Sequence, residues 1–400
     1  MVALLHRHQS SLEGLIGFSA AEPLFANEQE RAQAVGRFRR IVGHFEAVEQ
    51  PVPRYGEGYN RPALVRLTFE YARSPESKDR FLGAFFRSLA IGMLDDDNVN
   101  LISDNSAIAD FREAVFGFAE FLVANFFLPP TTNKTPQPSP IYHAAVQEAQ
   151  TQEDKQRIQD FIGTPERLSA LQGSCLTRDR HRCVITHTFD IREALERLRR
   201  PPAIDDDGNP LDMSNNGGLE VAHILPHALT KEENGELVWS TFPFIWGYTN
   251  SQQNESRGVA LAILNMFDSG VMHVIEGTNM HRPYNAITLS LEMHQRFGQF
   301  HIYFERIAGA DAPPHTYRIN SFLPFSNQFP VTRTLYPHPS IDPPSERLLA
   351  LHSVIGHILH LSGAGDYIQA ILRDLEDGVV REDGSTQLGD LLSIALQMRG

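Results

Sequence analysis

The stretch LEVAHILPHAL, residues 219–229, runs from a short apolar segment into one histidine, passes a proline and meets a second histidine. The apolar segment is typical of a β-strand, and it places His223 at the strand end, with His227 four residues later. Taken alone, two histidines at a strand end are more often structural than catalytic. A neutral imidazole there can also take a proton from water, so the surrounding sequence has to decide between the two interpretations.

Farther along the chain, the segment YNAITLSLEMHQRFGQFHIYFERI (284–307) completes the order His…Asn…His. Its pattern predicts a strand, a short helix and a second strand, with Asn285 at a turn and His294 on the helix. A helix packed across the strands would let His294 hold a divalent metal in the same pocket as His223. Such a metal would stabilise the pentavalent phosphate and the leaving oxygen of a hydrolysis reaction. Asn285 would pin the loop so that both imidazoles face this pocket.

In this order and context, the residues resemble the HNH nuclease family, the ββα-metal finger. The segment CLTRDRHRCVITHTFD (175–190) leads in, AHILPHAL carries the first histidine, and NAITLSLEMHQRFGQFHIYFE (285–305) carries the asparagine and the last histidine. The chain looks most similar to fungal proteins that contain an HNH domain. This likeness extends to NKTPQPSP (133–140) and to IDPPSERLLALHSVIGHILHLSGAGDYI (341–368), so it covers most of the chain.

The resemblance implies a role for each matching residue. His223 matches the general base, His294 the metal ligand on the helix, and Asn285 the residue that orients the base or touches the metal. It further implies Mg²⁺ or Mn²⁺ as cofactor and nucleic acid as partner. The sequence therefore predicts an HNH endonuclease, a metal-dependent hydrolase of phosphodiester bonds, with His223, Asn285 and His294 as its catalytic residues.

The residue just before the base departs from the family pattern. Active relatives often have an acidic or histidine ligand there, whereas this chain has Ala222. His227 or Glu220 could replace that ligand. Because side chains alternate along a strand, Glu220 lies on the face opposite His223, and we expect His227 to be the second metal ligand. Magnesium tolerates one or two protein ligands, since it keeps several waters.

A long insert, residues 228–284, is a second departure, because compact fingers have a short loop at this point. Its segments STFPFIWGYTN and GVALAILNMFDSGVMHVI are apolar enough to pack, and both tryptophans of the chain lie in the insert. The insert could cover the site or form a pocket. A small-molecule substrate is then conceivable where a DNA groove would be expected.

The main alternative is a protein of the same fold without nuclease activity, which binds or converts a small molecule, for instance in fungal secondary metabolism. A net charge of -14 and a pI near 5.6 favour it, because nucleic-acid binders are usually basic. The missing ligand and the apolar insert point the same way. An enclosed pocket lined by Phe242, Phe244 and Trp246 would support this alternative. A positive surface strip leading to His223 and His294 would support the nuclease.

Composition restricts the class of protein further. The chain is 42% hydrophobic and 21% charged, which is typical of a globular protein. Only two cysteines occur, Cys175 and Cys183, so a disulfide framework is excluded and a reducing compartment is favoured. No apolar run approaches the roughly 20 residues that cross a membrane, and charges interrupt the first 18 residues before a signal-peptide core could form. We expect an intracellular protein, in the cytoplasm or nucleus, that does not use a membrane.

The pattern along the chain predicts a mainly helical α+β protein. Apolar residues three and four apart indicate helices over 77–97 and 106–127, and a capped helix follows Ser345. HRCVITHTF (181–189) and LEVAHILPH (219–227) are interpreted as strands. The predicted regions are a helical N-terminal region (1–127), a proline-rich linker (128–142), an HNH-like ββα domain (143–310) with its insert, and an extended segment followed by a C-terminal helical region (311–400).

Seven arginines fall within residues 178–200, which contain only four acidic residues. Such a cluster can contact phosphates. A solvated helix face is slightly favoured, because Glu193 with Arg197 and Glu196 with Arg200 have the spacing of ion pairs along a helix. The acidic loop that follows, residues 204–218, is expected to be exposed.

Overall fold

The computed structural model of the chain describes residues 24–49, 58–94, 105–128, 165–225, 250–275, 277–309, 312–324 and 329–377. The chain forms two compact units. Unit 1 takes Met1–Thr132, Glu233–Met272 and His357–Gly400, and unit 2 takes Asn133–Glu232 and His273–Gly356. The chain therefore crosses from one unit to the other four times, and part of the insert belongs to the first, helical unit.

Helices dominate both units. In chain order they are α1 (Glu28–Val48), α2 (Arg61–Tyr71), α3 (Pro75–Ser88), α4 (Asn105–Leu122), α5 (Pro165–Arg178), α6 (Ile191–Leu198), α7 (Asn250–Phe267), α8 (Met272–Ile275), α9 (Leu291–Gly298), α10 (Glu346–Ser362) and α11 (Ala364–Asp377). A π-helical turn, Val123–Phe127, continues α4. Two 3₁₀ turns, Gly277–His281 and Pro283–Asn285, precede the strand Ala286–Ser290.

The described strands form three small sheets. They are β1 (Phe189–Asp190), β2 (Asn216–Gly217), β3 (Leu219–His223), β4 (Ala286–Ser290), β5 (Ile302–Arg306), β6 (Thr316–Ser321) and β7 (Val331–Thr334). The first two pair in parallel, β3 pairs with β4 antiparallel, and the last three form an antiparallel sheet in the order β5-β6-β7. Together with the helices, this gives a mainly helical α+β protein, as the sequence predicted.

Unit 1 is built on an aromatic core. The rings of Phe38, Phe69, Phe81 and Phe85 contact one another at centroid distances of 4.8 to 6.5 Å and are nearly inaccessible to solvent. The helix α3 begins where the sequence supplies a cap, because the Ser74 hydroxyl accepts a hydrogen bond from a backbone N–H one turn later. It ends at Ser88, earlier than the predicted 77–97, since the chain turns into the left-handed region at φ +54° two residues later.

Part of the insert completes this core. Phe267, at the end of α7, stacks on Phe126 with ring centroids 4.9 Å apart, and both rings are fully buried. Arg73 forms an ion pair with Asp268 at 2.9 Å and donates its backbone N–H to the carbonyl of Phe267. The apolar run GVALAILNMFDSG therefore serves, in large part, to fill the helical unit.

In unit 2, the β3–β4 pair carries apolar packing on one face. Leu171 and Cys175 of α5 form a buried cluster with Val221 of β3 and Ala286 of β4. Burial raises the pKa of the Cys175 thiol to about 12, and both cysteines are free and buried, as the composition indicated.

A buried ion pair fixes the start of β4 to α5. The Arg178 guanidinium, 1% exposed, forms two hydrogen bonds of 2.7 and 2.8 Å with Asp179, and it also donates to the carbonyls of Pro283 and Ala286 at 2.6 and 2.8 Å. Asp179 accepts the backbone N–H of Thr288 at 3.1 Å. Burial alone would lower the pKa of Arg178, but the charge of Asp179 raises it. Three hydrogen bonds from this ion pair thus hold the start of β4 and the turn that contains the predicted asparagine.

Three expectations about secondary structure have clear outcomes. The segment 284–307 is strand, helix and strand as predicted, and the C-terminal helix begins at Glu346 after Ser345. The strand predicted at 181–189 is wrong except at its end, because His187 donates its backbone N–H to the carbonyl of Cys183 and closes a turn there. Residues 143–164 and the predicted linker beyond Leu128 lie outside the described residues.

Among the described helices, no single one is both long and apolar enough to cross a membrane. The bent pair formed by Glu346–Ser362 and Ala364–Arg373 passes the same test by length and composition only.

Candidate active site

His223 is the last residue of β3 and lies opposite Ala286 in the antiparallel register. It is 6% exposed. A second imidazole, that of His281 at the end of a 3₁₀ turn, approaches it edge to face, with ring centroids 5.4 Å apart and an interplanar angle of 74°. His281 is 8% exposed, so the predicted base shares a buried environment with another histidine.

Asn285 is completely buried and connects the two chain segments that carry these histidines. Its side-chain oxygen accepts the backbone N–H of Leu225 at 3.0 Å, and its side-chain nitrogen donates to the carbonyl of Met280 at 3.1 Å. Its own backbone carbonyl accepts the N–H of Ile224 at 2.8 Å. Asn285 therefore fixes the segment just after His223 to the turn that ends in His281.

His294 lies on α9 and contacts Glu220 of β3. The Nδ1 of His294 is 2.5 Å from a carboxylate oxygen of Glu220, and the two side chains are 14% and 29% exposed. Because an ionised carboxylate only accepts, Nδ1 carries the proton in this hydrogen bond. In the neutral ring the lone pair then resides on Nε2, which is the arrangement that proteins use to orient a metal-binding histidine.

These two pairs belong to opposite faces of the strand. Alternation places Glu220 and Ala222 on one face of β3, and Val221 and His223 on the other. The contact between Glu220 and His294 shows that α9 lies on the first of these faces. Three residues of strand, about 10 Å, separate Glu220 from His223 along the chain. The structure thus joins His294 to Glu220 and His223 to His281. Among the described residues it shows no contact between His223 and His294, which the sequence predicted to face one pocket.

The donors present suit a hydrated divalent ion. Over the described ranges, no group of three or more histidine, cysteine or acidic side chains is placed to hold a metal. The pair of Glu220 and His294 offers carboxylate oxygen and imidazole nitrogen. This donor set fits Mn²⁺ or Mg²⁺ with waters in the remaining positions. The predicted second ligand, His227, lies outside the described residues, as do Phe242, Phe244 and Trp246.

Most of the positive charge of the arginine cluster is paired with carboxylates of the same chain. Five of the seven arginines pair with acidic residues of the following loop and of α6: Arg180 with Asp207, Arg182 with Asp205, Arg197 with Glu193 and Asp206, and Arg199 and Arg200 with Glu196. Although desolvation opposes the shift, hydrogen bonds from His181 and Arg197 lower the pKa of Asp206 to about 2.

The loop 204–218 is mostly exposed as expected, but Asp205 is buried and ties the loop to Arg182. Arg180, Arg182 and Arg197 therefore stabilise the loop, whereas Arg199 and Arg200 pair with Glu196 of α6 and stay exposed.

Residues 183–305 match a family model, HNH_2, described as HNH endonuclease. The matched segment contains β3, β4 and α9 with His223, Asn285 and His294. No curated protein and no solved structure matches the chain. The match supports an HNH-domain protein, and it suggests a nuclease-type function with nucleic-acid binding.

Sequence reasoning passed over two of the contacting residues. It set Glu220 aside because this residue faces away from His223, but that opposite face is the one on which α9 places His294. No sequence pattern indicated His281, because it lies in an irregular loop without periodicity. The only available hint was its position, four residues before Asn285.

Proposed function

We propose that the chain is a metal-dependent endonuclease of the HNH type, which hydrolyses phosphodiester bonds in nucleic acid. The observation that carries this proposal is the 2.5 Å contact between Glu220 and the Nδ1 of His294, made between a strand and the helix that follows its partner strand. It leaves Nε2 of His294 as a metal donor within a segment that matches HNH endonucleases.

Each residue has a distinct task in this proposal. His223 accepts a proton from the attacking water, and Asn285 holds the segment just after His223 in place. His294 binds the ion through Nε2, while Glu220 orients the ring or supplies an oxygen ligand, and His227 is proposed as a further ligand. When bound, Mg²⁺ or Mn²⁺ supplies charge that stabilises the phosphate and the leaving oxygen.

No observation on the described residues favours the alternative, a small-molecule enzyme or binding protein. The aromatic residues proposed to line its pocket lie outside the described ranges. The described part of the insert packs its helix α7 within unit 1. The likeness to fungal HNH-domain proteins and an intracellular location remain predictions from the sequence.

Mn²⁺ binding to the full chain and nicking of supercoiled plasmid test the proposal together. The wild type is expected to bind Mn²⁺ and to nick in Mn²⁺ or Mg²⁺. His294→Ala is expected to lose both properties, because a metal donor is removed. His223→Ala is expected to keep Mn²⁺ binding but to nick about 100-fold more slowly or worse, because the base contributes to the chemical step.

His338→Ala provides a matched control, because His338 lies on a loop of unit 2 and accepts a hydrogen bond from the Ser340 backbone. Both properties should be unchanged in this variant. A wild-type chain that neither binds Mn²⁺ at micromolar concentration nor nicks plasmid would refute the proposal.

A further inference from the structure

We propose that His281 is a positioning residue for His223, and that the two imidazoles share the proton that His223 takes up. The catalytic part of this inference rests on the proposed endonuclease function. The pairing of the two rings does not, because it follows from the geometry of unit 2 and has a readout that needs no activity.

The distance between the rings suits proton sharing. Their centroids are 5.4 Å apart, and the rings meet edge to face at 74°. An N–H···N hydrogen bond of about 3 Å between two imidazoles places their centroids about 5 Å apart. The two rings are therefore near enough for a nitrogen of one to reach a nitrogen of the other once the rings are turned toward each other.

The backbone around the pair is fixed rather than adjustable. Asn285 binds Leu225, two residues after His223, and Met280, the residue before His281. Arg178 holds the carbonyls of Pro283 and Ala286 on either side of this asparagine. These four hydrogen bonds thus hold together the chain segments that carry two histidines 58 residues apart in sequence.

Because His223 is buried, its protonated form needs a partner that stabilises the charge. When it accepts a proton, it becomes an imidazolium at a site only 6% exposed, and desolvation disfavours that charge. A neutral His281 can accept a hydrogen bond from the second N–H of the imidazolium and spread the charge over two rings. It would also hold His223 in one orientation toward the water.

The step balances without another reagent. One proton moves from water to His223, the resulting hydroxide oxygen forms a bond to phosphorus, and the bond from phosphorus to the leaving oxygen breaks. The leaving oxygen takes a proton from solvent, and the shared proton later returns to solvent. No electrons are transferred between the two histidines.

Several charged groups on the described elements around the pair have partners of their own. On α5, Arg178 and Asp179 neutralise each other, and the pKa of Cys175 is raised so that its thiol stays neutral. In the loop that carries His281, Arg282 pairs with Asp342 at 3.0 Å. The pKa of Tyr284 is raised by burial, and Glu220 with His294 occupies the opposite face of the strand.

NMR titration of the full chain, with isotope-labelled histidine, tests the pairing directly. In the wild type, the His223 and His281 imidazole signals should each respond to the protonation of the other. In His281→Phe, which keeps an aromatic ring at the site, the pKa of His223 should fall by about one unit, a tenfold loss of proton affinity. His281→Gln, which retains an acceptor oxygen, should restore part of that loss.

An unchanged His223 titration in both variants would overturn the inference. Thermal unfolding of each variant is the folding control. If His281→Phe fails to fold, His281→Gln decides the question by the same titration.

The kinetics of plasmid nicking distinguish this inference from the proposed function. In plasmid nicking, His281→Phe should lower kcat about tenfold with KM nearly constant, and the acidic limb of the pH profile should move to lower pH. A loss of rate with no movement of that limb indicates a purely structural role and overturns proton sharing. If the wild type does not nick at all, the endonuclease proposal fails, while the titration still decides whether the histidines are paired.

Discussion

The two units of this chain are stabilised in different ways. Unit 1 is held by aromatic rings, such as Phe38 and Phe85, that fill space against one another. The strand pair of unit 2 is held by directed polar contacts from Arg178, Asp179 and Asn285, all buried. An apolar core depends mainly on volume, whereas a buried polar group depends on each of its partners. Unit 2 should therefore be less tolerant of conservative change than unit 1.

The largest expected effect comes from Arg178→Met, which removes one member of the buried ion pair. Asp179 would be left charged and uncompensated, so the free energy of unfolding should fall by about 3–5 kcal/mol. Urea denaturation measures this change. Arg66→Met is the matched control, because Arg66 pairs with Glu46 in unit 1 while remaining about one-third exposed, and its loss should cost about 1 kcal/mol or less. Equal losses in the two variants would remove the contrast between the units.

The second prediction concerns His352 and the dependence of the free energy of unfolding on pH. The ring is stacked between Phe297 and Phe300, and burial lowers its pKa to about 3, although a hydrogen bond to the Phe297 carbonyl opposes the shift. Its ordinary value of 6.5 applies in the unfolded chain. The contribution of His352 to the free energy of unfolding is complete above pH 6.5. It is lost as the pH falls toward 3, because the unfolded state binds the proton first.

Between pH 6 and 4 this loss should approach about 1.4 kcal/mol for each pH unit. Urea denaturation of wild type and of His352→Phe across that range isolates the contribution, since the pKa of His187 is lowered in both proteins. Parallel stability curves for the two proteins would contradict the prediction.

Third, Asn285→Ala should reduce the free energy of unfolding by about 1–3 kcal/mol, because the N–H of Leu225 and the carbonyl of Met280 would be buried without their partner. The same change should disturb the His223 and His281 imidazole signals in NMR spectra. Asn320→Ala is a suitable control, since Asn320 donates to Glu305 on an exposed part of β6. If the spectra keep the His223 signals unchanged, Asn285 does not position the pair.

The smallest effect is expected in unit 1. Phe85→Leu leaves an apolar side chain among other rings that can move toward it, so the free energy of unfolding should fall by about 1–2 kcal/mol. Thermal or urea unfolding measures it. A loss larger than that of Asn285→Ala would show that the aromatic core requires specific shapes rather than volume.

The sequence predicted those features that depend on local pattern. The strand ending at His223 and the strand–helix–strand order after Asn285 follow from periodicity, and the helix start after Ser345 follows from its cap. The sequence did not predict the partner of His294, because alternation gives the face on which Glu220 lies but not the helix that covers this face. The burial of Arg178 was also hidden, since its arginine-rich segment is typical of an exposed face, and only a tertiary fold surrounds it with carbonyl oxygens.

The four crossings between the units have a consequence for the order of folding. Unit 1 needs Glu233–Met272 and His357–Gly400, and unit 2 needs residues up to Gly356, so neither has all its parts until most of the chain has left the ribosome. β3 must also wait for β4, and closing a loop of this length carries a large entropic cost. Such non-local pairing is slow, and we expect the nascent chain to expose its phenylalanine-rich helices to chaperones during that delay.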